Sequence, residues 1–211
     1  VHFYLKHDSE HEVVGFTVDG AYRKSDSFNN LPLVSYEKLE DYYPPSEYKL
    51  FIAISYQKVN KLRAEKYFNA KERGYSFVSY VSSEASYSGT PVGENSFIFA
   101  NSTIQPFTSI GNNCLLFGAN SIGHHCVIND HCFLTSDVVL GGGSTVGEYT
   151  FIGLNATIRN HRSNDSMDRH RLTDVNSGSI WNLEQIVLVT ANQVSQKLRI
   201  GLNSILPLNL F

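Results

Sequence analysis

Basic residues are scarce in this 211-residue chain: 17 Lys and Arg stand against 20 Asp and Glu, a formal net charge of −3. Nucleic-acid binders and membrane-surface binders need a basic excess to meet phosphate, so neither is expected as a general partner. Cysteine is scarce too; three residues are too few, and odd in number, for a disulfide framework. No apolar run approaches the ~18 residues of a membrane span, and no signal peptide is recognisable. The expectation is therefore a soluble, cytoplasmic protein with no membrane insertion. An initiator methionine is also missing, since the chain opens on Val1, and this suggests a fragment or a processed chain. What remains is sufficient for a core: 42% of residues are apolar, and the length allows one domain or two small ones at ~100–200 residues each.

The sharpest shortage is local. Residues 1–80 carry 11 Lys+Arg and 11 Asp+Glu, whereas residues 81–160 carry one Arg and five acids, a fall from 22 charges to 6 over equal lengths. Two architectures are expected, meeting near residues 82–91. The first alternates strands and helices. Glu12–Asp19, Leu31–Val34 and Leu50–Ile54 read as strands, and Phe77–Val81 as a last strand leading out. Ser35 is placed to cap a short helix that Pro44-Pro45 closes, and Gln57–Arg73 reads as a charged amphipathic helix stopped by Gly74. Val1–Leu5 looks like the end of a helix. Such alternation predicts a partial Rossmann-like α/β domain over 1–82. No G-x-G-x-x-G opens it, so a domain without a nucleotide site also fits.

From Val92 to Ile158 every sixth residue is Val, Ile or Leu, twelve in-phase positions in succession. Fixed periods of this kind build stacked coils. Six residues per side and three sides per turn give 18 per coil, so the expected fold is a left-handed parallel β-helix over 83–211. Regular repeats occupy 92–158 and an irregular loop 160–186. The phase fails at Asn164 and is expected to resume with Leu188, Val194, Ile200 and Leu206. Two residues before each aliphatic the side chain is nearly always small, and Cys114, Cys126 and Cys132 all fall in that column. Small packing residues are the simplest reading of these cysteines, against a redox or zinc role. Gly93, Gly111, Gly123, Gly141, Gly147 and Gly153 follow the aliphatic, where a tight corner would favour unusual φ.

Histidines cluster as His124, His125 and His131 within the coils. An imidazole titrating near neutrality can take the proton of an attacking hydroxyl or amine. One 18-residue coil places Gly142 directly over His124, where a backbone N–H could meet a developing oxyanion. Base and amide donor one strand apart suit acyl transfer. Two other readings stay open: solvated corner histidines, and a zinc site, which only a trimer interface could complete from these residues.

The run Ile122-Gly123-His124-His125-Cys126-Val127-Ile128-Asn129-Asp130-His131-Cys132 behind a small α/β domain resembles the bacterial sugar O-acyltransferases related to NeuD and PglD, the sialic-acid O-acetyltransferase type of hexapeptide-repeat acetyltransferase. The likeness spans about residues 3–160. Tyr43-Pro44-Pro45 to Tyr48-Lys49 and Asn60–Tyr67 resemble a less characterised branch. The resemblance implies a homotrimer that uses acetyl-CoA as co-substrate and a sugar or nucleotide-sugar acceptor held partly by the first domain. It implies His124, His125 and Gly142 as catalytic residues, and Gly142, Phe133, His131 and Asn160 as donor-binding residues, with no metal. His125 stands where relatives commonly carry Glu or Asp, so Asp130 or another chain's carboxylate would have to orient His124. Phe133 replaces a second donor-contacting histidine, for which His131 could compensate. The expected function is O- or N-acetylation of a sugar or nucleotide-sugar in bacterial surface polysaccharide or glycan biosynthesis. The alternatives are a zinc-dependent hydratase of the γ-carbonic-anhydrase type and a non-catalytic trimeric scaffold.

Overall fold

The computed structural model describes residues 1–89, 91–160, 163–164 and 185–190. The chain opens in helix α1 (His2–His7) and enters a sheet built on β1 (Val13–Val18), β2 (Ser27–Phe28), β3 (Leu31–Ser35) and β4 (Tyr48–Ala53). Strands β1 and β3 are parallel, β2 is a short antiparallel edge, and Phe77 bridges Leu50 in parallel beyond β4. The continuous apolar run Leu50-Phe51-Ile52 is fully buried, as a strand covered on both faces requires. Short helix α2 (Leu39–Tyr42) follows β3, without a side-chain hydrogen bond from Ser35 at the preceding turn. Helix α3 (Lys61–Glu72) starts four residues later than its charge pattern predicts, because Lys58, Val59 and Asn60 all adopt positive φ. Gly74 stops it at φ 87°.

Between β1 and β4 lies a strand that the hexapeptide phase assigns elsewhere. Gln185–Thr190 pairs antiparallel with both, Leu188 lying opposite Leu50 and Gly15. The expected return of Leu188 to the coil is thus corrected. Ile186-Val187-Leu188-Val189 is a continuous apolar run, which suits a central strand and carries no strict six-residue phase. Val194, Ile200 and Leu206, and residues 165–184 of the expected loop, lie outside the described residues.

From Tyr80 the chain winds as a left-handed parallel β-helix, borne out as the repeat predicts. Each side is a two-residue strand, and strands 18 residues apart pair in register, as in Leu115↔Phe133 and Ser121↔Val139. Three faces result. The first carries Phe97–Ile98, Leu115–Leu116, Phe133–Leu134 and Phe151–Ile152; the second Thr103–Ile104, Ser121–Ile122, Val139–Leu140 and Thr157–Ile158; the third Ser109–Ile110, Val127–Ile128 and Thr145–Val146. The phased aliphatics fill the interior with the three free cysteines, all fully buried. Coiling starts earlier than the phase does. Val81 pairs with Ile98 and Tyr87 with Ile104, each 17 residues away, so one missing residue hides the first rung. Ser163–Asn164 extends the third face despite the polar residue in the aliphatic column.

The corner glycines have a different reason from the one expected. Their φ is ordinary; a Cβ on Gly123 would stand 2.6 Å from the Gly142 nitrogen, and one on Gly141 2.6 Å from that of Asn160. Close approach of successive coils requires glycine at 93, 111, 123 and 141, whereas a Cβ on Gly153 would meet nothing within 4 Å among the described residues. Positive φ falls two residues later, at Asn95, Asn113, His125, His131 and their equivalents.

The α/β unit packs on the first face, where Phe51, Phe97, Leu115 and Phe133 share a core with Leu5 and Phe16. Arg63 of α3 enters this junction fully buried. It donates to the carbonyls of Asn113 (3.1 Å) and Cys132 (3.1 Å) in two successive coils, and to those of Ile54 and Ser55 after β4.

Candidate active site

The corner joining the second and third faces carries His124 and His125, both exposed. Backbone bonds grip the pair from both neighbouring coils. Below, Gln105 Oε1 accepts the His124 N–H at 3.1 Å and the Pro106 carbonyl accepts that of His125 at 3.2 Å; above, Gly143 N–H donates to the His124 carbonyl at 2.8 Å. The two imidazoles stand edge to face with Nδ1 to Nδ1 at 3.0 Å. If the shared proton is on His124, its Nε2 is left with the lone pair of a base, and His125 Nδ1 is the acceptor that orients it.

Gly142 lies above His124, against its ring, as the 18-residue coil predicts. A Cβ there would come within 2.8 Å of both Cε1 and Nε2. No carbonyl among the described residues takes the Gly142 N–H. Gly142→Ala should therefore displace the imidazole while leaving the coil intact. We expect kcat to fall by about 10²-fold, the lower range for loss of a positioned acid–base group, with an unchanged circular dichroism melt. Retention of full activity would show that the ring can leave Gly142 without cost.

Next to this corner, an open groove of about 500 Å³ is lined by Val139, Gly141, Thr157, Ile158, Arg159 and Asn160. Asn160 occupies the corner one coil beyond Gly142, so His124, Gly142, Asn160 and the groove lie together. Arg159 is the one cation that the sequence places between residues 81 and 160.

His131 and Phe133 do not join them in the chain. His131 sits at a different corner, between the third and first faces, 3% exposed. It stacks on Tyr149 and takes a hydrogen bond from Asn113 Nδ2 at 2.9 Å. Phe133 is buried on the first face against Tyr56 and Phe151. The expected placement of both beside the donor is corrected: α3 and the segment after β4 cover them. Asp130 is likewise remote from His124, accepting from Asn112 N (2.8 Å) and Nδ2 (3.1 Å) in the preceding coil. Among the described residues His125, and no carboxylate, is the neighbour of His124 Nδ1.

Burial pushes the His131 pKa down to about 4, with Asp130 partly opposing and Arg63 adding to the shift. The unfolded chain then binds more protons than the native one between pH 6.5 and 4, so stability rises with pH across that window and is lost as pH falls. Stability should drop by on the order of 2–3 kcal/mol across it. His131→Asn, which continues the Asn95–Asn113 ladder, should flatten this slope in urea melts at pH 7, 5.5 and 4. An unchanged slope would assign the acid sensitivity to another group.

Sequence reasoning missed Gln105 and Phe107. The 18-residue coil was the available signal, since 105–107 stack beneath 123–125 just as Gly142 stacks above His124.

A parallel β-helix bearing a corner histidine over a glycine, beside an open groove, is the class that fold and site define. Solved structures share that fold. A histidine-to-asparagine mutant of perosamine N-acetyltransferase from Caulobacter crescentus, in complex with CoA and GDP-perosamine, is 24% identical with a TM-score of 0.60, covering 69% of this chain and 68% of that one. The acetyltransferase domain of PglB from Neisseria gonorrhoeae FA1090 in complex with acetyl coenzyme A is 20% identical with a TM-score of 0.60, covering 67% and 68%. At these identities the likeness is one of fold. No protein-family model and no curated protein matches the chain.

Proposed function

We propose that this protein is an acetyl-CoA-dependent acetyltransferase of the NeuD- and PglD-like type, acting on a hydroxyl or amine of a sugar or nucleotide-linked sugar. The observation that carries the reading is the His124 imidazole against Gly142, next in sequence to Gly141 of the groove lining, with His125 holding Nδ1. His124 Nε2 takes the proton of the attacking hydroxyl or amine. The Gly142 N–H donates to the oxygen of the acetyl carbonyl as it gains negative charge. His124 then returns the proton to the departing CoA sulfur, so base and acid are one group and no acyl-enzyme is needed. His125 Nδ1 accepts from His124 Nδ1–H while the imidazolium exists. Asn160 and Arg159 line the groove in which the donor would lie.

The same reading makes the protein a homotrimer in the cytoplasm, with residues 1–82 holding the nucleotide end of the acceptor. Its product would serve surface polysaccharide or glycan assembly. Neighbours in complex with CoA, acetyl-CoA and GDP-perosamine support this choice of substrates. The test is thiol release from acetyl-CoA with a panel of nucleotide-linked amino and hydroxy sugars, GDP-perosamine included, alongside sedimentation and metal analysis. Acceptor-dependent thiol release from a trimer is expected. Stoichiometric zinc with carbon dioxide hydration would replace it by the hydratase reading, and absence of acetyl-CoA binding at millimolar donor by the scaffold.

A further inference from the structure

The third residue of each coil corner adopts a left-handed conformation, which costs least for glycine and asparagine. Asn95, Asn101, Asn113, Asn155 and Gly143 occupy it accordingly. Phe107, at φ 64°, does not fit that preference. Among the other rings in such positions, His131 is buried and Tyr149 stacks on it, while His125 is exposed beside His124. Phe107 is 75% exposed and has one ring neighbour, His125, at 4.8 Å between centroids. Neither backbone preference nor burial accounts for a phenylalanine here.

Its place does. Phe107 lies one coil before the histidine pair, whereas the groove lies on coils after it. With a donor in that groove, a nucleophile has the earlier coil left from which to reach His124. There Gln105 Oε1 and the Pro106 carbonyl are engaged by the His124 and His125 amides. We infer that Phe107 is the acceptor-side wall of the active site, a platform for the pyranose ring of a sugar acceptor. An aromatic face is electron-rich and attracts the polarised C–H groups on one side of a pyranose, while the sugar hydroxyls stay free to reach His124. The inference rests on the acetyltransferase reading and adds where the sugar sits.

The experiment compares Phe107→Asn, the residue found more often than any other at these corners, and Phe107→Trp with wild type on the best acceptor of the nucleotide-sugar panel. Phe107→Asn should raise the acceptor KM by about tenfold and leave kcat and the acetyl-CoA KM within about threefold. Its melting temperature should be equal or higher, because the backbone strain is relieved. Phe107→Trp should keep the acceptor KM near wild type. An unchanged acceptor KM in Phe107→Asn overturns the inference, as does a lower melting temperature with loss of the oligomer, which would make Phe107 a packing residue between copies. Wild type inactive on the whole panel instead overturns the acetyltransferase reading itself.

Discussion

On the proposed acetyltransferase reading, His124→Ala is expected to lower kcat by about 10²–10⁴, the usual worth of a positioned general base, and to leave both KM values within about threefold. The side chain is exposed and its backbone bonds to Gln105 and Gly143 survive truncation, so the melting temperature should not move. Steady-state kinetics of the purified variant check this, and wild-type turnover would remove His124 from the chemistry. The neighbouring residue sharpens the test. His125→Ala deletes the acceptor of His124 Nδ1, 3.0 Å away, and should cost about tenfold, less than loss of the base itself. His125→Glu supplies a carboxylate, which stabilises an imidazolium more than a neutral imidazole can. It should recover or exceed wild-type kcat, an outcome that a purely structural role for His125 does not predict.

Arg63→Ala is the largest expected change in stability, about 3–5 kcal/mol, because several buried acceptors lose their donor at once. The guanidinium is fully buried, and its acceptors are carbonyls and the side-chain oxygens of Asn60 and Asn113. None of them is a carboxylate. Burial pulls its pKa down to about 10, so it remains charged at neutral pH. Truncation leaves the carbonyls of Asn113, Ile54 and Ser55 buried without that donor, at about 1–3 kcal/mol per unsatisfied group, and opens a void between α3 and the coil. Arg63→Met fills the void but not the hydrogen bonds, so it should rank between alanine and wild type in urea melts at pH 7. Both variants within 1 kcal/mol of wild type, a difference at the level of one ordinary hydrogen bond, would show that the two units do not depend on this side chain.

These two residues differ in how far they could be read from the sequence. His124 and Gly142 are separated by one coil length, and the six-residue phase sets that length wherever it is unbroken. Local periodicity therefore determined a three-dimensional neighbour. Arg63 carried no such mark, because a cation in a charged helix reads as solvent-facing. Its spacing from Ala64, Tyr67 and Ala70, all buried, places it on the inner face only once that face is known to meet the coil.

The sequence by itself determined the β-helix, its interior column, the burial of its three cysteines and the stacking of His124 on Gly142. All follow from a repeat in which each residue's neighbours are set by arithmetic. Tertiary structure alone decided which corner faces the α/β unit. For that reason His131, Phe133 and Asp130, only a few residues from His124 in sequence, lie away from its corner. It also decided that Gln185–Thr190 joins the first sheet, and that His125 takes the place beside His124 where a carboxylate was expected. These outcomes depend on contacts between distant segments, and a period of six says nothing about which outer surface another part of the chain will cover.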